Sequence, residues 1–212
     1  HLLKKPAIDA ILDLCEEISP DLLVMGSRGL GTLRRVLVGS VSEGVVHHAP
    51  CTVLVVRGGE EAWPPTRLVV GYDGSDAAER AAGLAAEIGR LLGIGGVLVQ
   101  AHQRPPEPIG GWRSQERSKF DDALVRAEEH LNERAERFGT IPGDDPRARL
   151  VEGDPALALL KVAEEGDESR TLLAVGSRGL GAISRTRLGS VSTNLLRVAH
   201  GPILVCPRRE AE

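Results

Sequence analysis

Short apolar runs alternate with amphipathic stretches along residues 66–207. The run RLVVGY at 67–72 is apolar and β-branched and ends in a turn, which indicates a buried strand. Residues 76–92 carry apolar positions at helical spacing, and so do residues 120–138, where charges stand between them. Further strands are predicted at 96–101, 147–151, 171–175 and 203–206, and further helices at 155–165 and 190–199. The stretch at 103–117, which is rich in proline and glycine, is predicted to be a long loop. This alternation predicts an α/β fold with a parallel sheet and helices on both faces.

The last part of this pattern occurs twice in the chain. Two segments return at a constant offset of 150 residues: LLVMGSRGLG at 22–31 as LLAVGSRGLG at 172–181, and GSVS at 39–42 as GSVS at 189–192. Between 20–57 and 170–207, 16 of 38 aligned positions are identical. Glycine and serine composition alone does not explain this, because Leu54 and Val55 also have identical counterparts. The sequence therefore predicts a duplication.

Only the second copy is predicted to be complete. Residues 66–208 hold all five of its strands, whereas residues 1–57 supply only the last part of a first copy. That part consists of a helix at 7–18, a strand at 22–25, a helix at 40–48 and a strand at 52–56. Residues 58–65 are expected to be the linker. No counterpart of the first two strands is present in the first copy.

Composition and charge narrow the class of protein. The chain of 212 residues is 42% hydrophobic and 26% charged, as in soluble globular proteins. The net charge of −4 argues against nucleic-acid or anionic-membrane binding. Cys15, Cys51 and Cys206 are odd in number and widely spaced, which favours a reducing cytoplasm. No signal peptide is visible, although the chain begins at His1 without an initiator methionine.

A glycine-rich motif stands between strand and helix in both copies. The pattern G-x2-G-x9-G-S occurs at Gly26, Gly29, Gly39 and Ser40 and again at Gly176, Gly179, Gly189 and Ser190. Glycines let backbone N–H groups approach a polyphosphate, and a helix start offers free N–H groups and a positive dipole end. Ser40 and Ser190 are expected as N-caps, Ser42 and Ser192 add hydroxyls, and Arg28 and Arg178 add charge. The alternative interpretation is a glycine-rich turn between strand and helix that only packs against the rest of the fold and binds no phosphate.

Asp73 follows the first strand of the complete copy. In open parallel sheets, ligands bind beyond the carboxyl ends of the strands where the strand order reverses. Asp73 and the loop at 176–192 are therefore expected to face one crevice. Its carboxylate either accepts a hydrogen bond from an adenine amino group or a ribose hydroxyl, or caps the helix that begins at Asp76. The position alone does not separate these two roles.

Together these residues resemble the universal stress protein family, in its tandem-domain form and ATP-binding subclass. The resemblance rests on VVGYDGS at 69–75, GDP at 153–155, both glycine motifs and PILVCP at 202–207, and it covers residues 2–208. It implies an open, Rossmann-like, five-stranded parallel sheet of order 3-2-1-4-5 in the complete copy. It also implies ATP held across the first and fourth strands, with ADP, AMP and a magnesium ion as compatible species.

The resemblance also implies a set of binding residues. Asp73 would contact adenine, Gly71 and Tyr72 would line that end, and Gln103 would contact the base. Ribose and phosphates would be held by Val175, Gly176, Gly179, Gly189, Ser190, Val191 and Ser192, with Arg178 beside them. A partial first site would consist of Met25, Gly26, Gly29, Gly39, Ser40, Val41 and Ser42. The first copy has no counterpart of Asp73, and Lys4, Lys5 and Pro6 stand where GDP would be.

Three classes of function are compatible with the sequence. The first is an ATP-binding regulatory protein of the stress response, acting through conformation or partner binding. The second is a slow ATPase or adenylyl transferase, but the sequence shows no placed base and nucleophile beside the phosphate loop, so no catalytic or metal-binding residue is assigned. The third is a dimerisation module without nucleotide. The strands at 52–56 and 203–206 are expected to pair antiparallel, within the chain or in a homodimer.

Overall fold

The structure is a computed structural model of the chain. It describes residues 5–27, 38–57, 63–109, 111, 113–138, 147–179 and 188–207. The first part contains α1 (Ala7–Ile18), β1 (Leu22–Gly26), α2 (Ser40–His48) and β2 (Thr52–Val56). The second part contains β3 (Arg67–Gly71), α3 (Asp76–Leu92), β4 (Gly95–His102), α4 (Ser114–Arg137), β5 (Ala148–Glu152), α5 (Pro155–Glu164), β6 (Thr171–Gly176), α6 (Ser190–Val198) and β7 (Ile203–Cys206).

One sheet of seven strands runs through the molecule, in the order β1-β2-β7-β6-β3-β4-β5. The expectation of a five-stranded sheet was therefore wrong for the sheet as a whole. The five strands of the second part do follow the order 3-2-1-4-5. The sheet extends further because β2 pairs antiparallel with β7, with Leu54 opposite Leu204. This confirms the predicted antiparallel pairing, which occurs within a single chain.

Alternation along the strands builds two cores, one on each face of the sheet. Val69 and Leu173 face the core that contains Leu159 of α5 and Leu195 of α6. The neighbouring positions on the same strands face the core of α3 and α4. On that side α3 presents a row of buried alanines, which lets the helix lie close to the sheet. Only 2% of the residues are aromatic, so the core is filled by small and aliphatic side chains instead of large rings.

Helix α4 begins earlier than the sequence predicted. The proline-rich and glycine-rich stretch at 103–117 was expected to be loop throughout, but the helix starts at Ser114. The Glu116 carboxylate accepts a hydrogen bond from the backbone N–H of Arg113 at 3.2 Å, which satisfies one free donor at the helix start. The apolar spacing that marked 120–138 therefore identified only the packed part of the helix.

Side-chain contacts also join the two parts of the chain beside the β2–β7 pair. Arg57 is 2% exposed, and its guanidinium donates to the carbonyls of Leu196 and Ala199 at the end of α6. A cation at this position complements the negative end of the helix dipole. On the surface, Arg197 of α6 pairs with Glu43 of α2 at 2.9 Å. The C-terminal end of α6 is thus held by residues of the first part.

Among the helices that the structure describes, none combines the length and the apolar character needed to cross a membrane.

Candidate ligand-binding site

A cavity of about 500 Å³ opens at the carboxyl ends of β3 and β6. This is where the strand order reverses, since β4 lies on one side of β3 and β6 on the other. Its wall includes the predicted residues Gly71, Tyr72, Asp73, Val175, Gly176, Arg178, Gly179, Gly189, Ser190, Val191 and Ser192. Gln103 is exposed just beyond β4 and is not part of the wall. The fold therefore brings two distant segments of the sequence to one crevice.

Asp73 lies in the turn between β3 and α3. Its Oδ1 accepts a hydrogen bond from the backbone N–H of Ser75 at 3.0 Å. The N-cap of α3 is Ser75, whose Oγ accepts from the N–H of Ala78 at 3.2 Å. The interpretation of Asp73 as the helix cap was therefore wrong. The Asp73 side chain is exposed and stands in the cavity wall.

The glycine-rich loop passes directly against this carboxylate. A Cβ atom on Gly179 would lie 2.2 Å from Oδ2 of Asp73, so a side chain at 179 would displace the carboxylate. Ser75 ties the two loops together, because its hydroxyl donates to the carbonyl of Arg178 at 3.3 Å. The loops after β3 and β6 thus form the two lips of the crevice.

The start of α6 forms the floor of the cavity beside this loop. The N-cap is Gly189 and no side chain caps the helix, so the expectation that Ser190 caps it was wrong. Ser190 is the first helical residue, is exposed, and lines the cavity. Ser192 is 2% exposed and donates its hydroxyl to the carbonyl of Gly176 at 2.8 Å. This hydrogen bond from the Ser192 hydroxyl links α6 to the end of β6.

The same local structure recurs in the first part of the chain. The Ser42 hydroxyl donates a hydrogen bond to the carbonyl of Gly26 at 2.9 Å, and the backbone N–H of Gly39 donates one to the carbonyl of Ser27 at 2.8 Å. Gly39 is the N-cap of α2, so Ser40 is not a cap either. The residues predicted for a first site (Met25, Gly26, Gly39, Ser40, Val41 and Ser42) are not in the cavity wall. Gly29 and Arg28 lie outside the described residues.

Tyr72 contributes to the wall, but its hydroxyl is engaged elsewhere. The phenol donates to Oε1 of Glu79 at 2.6 Å, and Glu79 also pairs with Arg134 of α4 at 3.2 Å. The ring packs in the core beneath α3 and α4. Burial, followed by the hydrogen bond to Glu79, raises the pKa of Tyr72 to about 12. Tyr72 therefore remains protonated and anchored to α3.

The sequence reasoning missed the apolar part of the wall. Val99 and Ala101 line it from β4, and Pro155 and Leu159 line it from α5, together with Ala78 and Leu188. Val99 and Ala101 are two residues apart on a strand, and Pro155 and Leu159 are four apart on a helix. The two residues of each pair therefore lie on the same face of their strand or helix, and this spacing in the sequence could have indicated the apolar wall. The wall combines an apolar side with a glycine-rich, polar side.

The comparisons with known proteins show the family to which the chain belongs. The sequence model of the universal stress protein family matches residues 1–57 and 65–207, so the chain belongs to the universal stress protein family. A universal stress protein of Mycolicibacterium smegmatis is 34% identical over 192 residues, which cover 88% of this chain and 62% of the relative. One from Mycobacterium tuberculosis is 31% identical over 194 residues, covering 87% and 61%. The chain thus spans about three fifths of the length of these relatives.

Solved structures share the fold. A universal stress protein from Archaeoglobus fulgidus is 27% identical, with a TM-score of 0.59 over 95% of this chain and 67% of that chain. A Pseudomonas aeruginosa protein of unknown function has a TM-score of 0.72 at 16% identity, over 96% of this chain and 68% of that chain. The second likeness shows the fold alone.

Proposed function

We propose that the chain binds ATP in the crevice between β3 and β6 and acts as a nucleotide-dependent regulatory protein of the stress response. The observation that carries the proposal is the cavity itself. Its wall combines a glycine-rich loop and a helix start with apolar side chains and the Asp73 carboxylate. Its volume of about 500 Å³ lies within the usual range for small-molecule sites.

The glycine-rich side suits phosphates. The first turn of α6 has no side-chain cap, so its N–H groups remain directed at the cavity with the positive end of the helix dipole. Ser190 adds an exposed hydroxyl, and Arg178 adds a positive charge in the wall. A polyphosphate placed here would be held by the backbone of residues 189–192.

The opposite side suits a base and a ribose. Val99, Ala101, Pro155 and Leu159 offer apolar surface for a flat ring, and Asp73 offers carboxylate oxygens at the edge. Burying both faces of a purine while satisfying its polar edge is the usual design of such a site. Membership of the universal stress protein family supports the same ligand, because the sequence resembles its ATP-binding subclass.

Binding is proposed ahead of turnover. Asp73 is the carboxylate among the described residues of the cavity wall, and it already accepts a hydrogen bond from the Ser75 backbone. We assign it to the base and ribose end, away from the terminal phosphate. A phosphate-release assay on the purified chain distinguishes a binding protein from a slow ATPase, because steady release of phosphate would favour the enzyme.

The chain is expected to bind one ATP. We propose that it has the tandem form, with the site in the second copy. The described residues of the first part repeat the hydrogen bonds at both ends of the loop, but none of them lines the cavity, and β1 has β2 as its partner among the described strands. Titration calorimetry with ATP, with GTP as the control nucleotide, should give one site per chain. Two sites of similar affinity would contradict this assignment, and no binding of any adenine nucleotide would overturn the proposed function.

Asp73→Ala is expected to weaken ATP binding by about 1–3 kcal/mol, the usual effect of removing one partner of a polar contact that the bound ligand buries. Adenosine, which lacks phosphates, should lose affinity by a similar factor, because the contact lies at the base and ribose end. Both affinities can be measured by calorimetry, with thermal unfolding as the check on the fold. Unchanged affinity for both ligands would restrict Asp73 to its turn with Ser75.

A further inference from the structure

Ser75 joins the two lips of the crevice although its side chain is not part of the cavity wall. Its hydroxyl takes part in two hydrogen bonds. The oxygen accepts from the backbone N–H of Ala78 at 3.2 Å, which caps α3, and the proton is donated to the carbonyl oxygen of Arg178 at 3.3 Å. A hydroxyl can do both because it has one donor and two acceptor positions. One side chain therefore ends a helix and holds a distant loop.

The segments that this hydroxyl links are packed very closely. A Cβ atom on Gly176 would lie 2.8 Å from Cβ of Ala77, so the end of β6 rests directly on the first turn of α3. A Cβ atom on Gly179 would lie 2.2 Å from Oδ2 of Asp73. Neither glycine could carry a side chain unless the two segments moved apart. The position of the loop after β6 is thus set by the turn after β3.

Capping α3 does not by itself require a serine. Asp, Asn and Thr are also good N-caps, and this chain uses an aspartate elsewhere. Asp154 caps α5, where its carboxylate accepts hydrogen bonds from the N–H groups of Ala156 and Leu157 at 3.0 and 3.1 Å. An ionised carboxylate has no proton to donate, so an aspartate at position 75 could cap α3 but could not hold the carbonyl of Arg178. The two hydrogen bonds of Ser75 are therefore separable by substitution.

We propose that Ser75 is a positioning residue for the nucleotide, because it fixes the Arg178–Gly179 peptide against Asp73 before the ligand binds. This inference rests on the proposed function, since it concerns the same crevice. Ser75 acts through these neighbours and does not touch the ligand. A lip that is ordered during folding does not have to be ordered by the nucleotide, and affinity rises by the cost that is avoided.

Three substitutions separate the roles of the hydroxyl. Ser75→Thr keeps both the cap and the donor. Ser75→Asp keeps the cap and removes the donor. Ser75→Gly removes the hydroxyl without adding a charge, and glycine is tolerated at an N-cap. The backbone at position 75 has φ −77° and ψ 155°, an extended conformation that all three residues adopt.

Tryptic cleavage after Arg178 tests the lip in the absence of any nucleotide. Release of the Arg178 carbonyl should make cleavage there about 3–10-fold faster in Ser75→Asp and Ser75→Gly, since cleavage follows the population of the open loop. Ser75→Thr should be cleaved like the wild type. Cleavage after Arg126 is the internal control, because α4 packs on β4 and β5. Mass spectrometry of the fragments identifies each cut.

Calorimetry with ATP and with adenosine tests the effect on binding. Ser75→Gly should weaken both ligands about 3–10-fold, and Ser75→Thr should bind both like the wild type. Ser75→Asp should weaken adenosine by the same factor, and ATP by more, because its added negative charge repels phosphates. Melting temperatures of the Asp and Thr variants close to that of the wild type verify that the cap of α3 is retained.

The possible failures can be told apart. The inference is overturned if Ser75→Asp and Ser75→Gly bind adenosine as tightly as the wild type does, whether or not cleavage after Arg178 is faster. Equal cleavage rates in all four proteins would overturn it as well. A wild-type chain that binds neither ligand would overturn the proposed function, and with it this role of Ser75.

Discussion

Gly189→Val is expected to weaken ATP binding at least ~100-fold, or about 2.7 kcal/mol. Gly189 precedes the first turn of α6, and a Cβ atom there would lie 3.2 Å from the carbonyl oxygen of Ser177 and 3.6 Å from Cα of Arg178. The two valine methyl groups would occupy the space through which a phosphate reaches the N–H groups of the helix start. Calorimetry with ATP measures this loss directly.

The duplication supplies a control for this experiment. Gly39 occupies the same position before α2, with the same backbone hydrogen bond and a Cβ distance of 3.3 Å to the Ser27 carbonyl. Gly39→Val should therefore cost a similar amount of stability and leave ATP affinity unchanged. Thermal unfolding of both variants verifies the match. Equal ATP affinities in the two variants would contradict the placement of the phosphates at Gly189.

Gly201→Ala is expected to reduce the free energy of unfolding by about 3 kcal/mol. The added Cβ would stand 2.3 Å from the carbonyl oxygen of Thr171 and 2.5 Å from that of Glu168. Both atoms belong to the backbone, where a rotamer change cannot relieve the overlap. The start of β6 and the turn before β7 would have to separate. Urea unfolding followed by circular dichroism measures the change.

Gly83→Ala is the comparison for that measurement. Gly83 lies inside α3, and a Cβ there meets no atom within 4 Å. Alanine should stabilise the helix by about 0.5–1 kcal/mol, because glycine loses more backbone entropy on folding. The two substitutions are chemically identical and should have opposite signs. A Gly201→Ala variant as stable as the wild type would show that the backbone around Thr171 yields easily.

The local pattern of the sequence was sufficient to predict most strands and helices and the polar half of the site. The G-x2-G-x9-G-S motif placed Gly176, Gly179 and Gly189 beside one another, because a strand, a loop and a helix start follow in order along the chain. The rule that ligands bind where strand order reverses then brought Asp73 to the same crevice. The structure places all four in the cavity wall.

Other features depended on contacts between distant segments. Ser190 fits the composition of an N-cap, but the backbone places the cap at Gly189 and leaves the serine hydroxyl on the cavity side. Asp73 fits a cap equally well, and the choice of Ser75 was made by the geometry of the turn. Each of these residue types suits more than one position, so local preference did not decide between them.

The sequence by itself determined the internal repeat, the α/β class and the polar residues that are candidates for the site, because periodicity and repeated motifs encode these features in neighbouring residues. The family resemblance implied the strand order of the second part. The tertiary structure alone decided that the predicted β2–β7 pair forms within one chain and gives a seven-stranded sheet, and that Arg57 is buried at the end of α6. These contacts join residues far apart in the chain, and their geometry is fixed only when the helices and strands pack together.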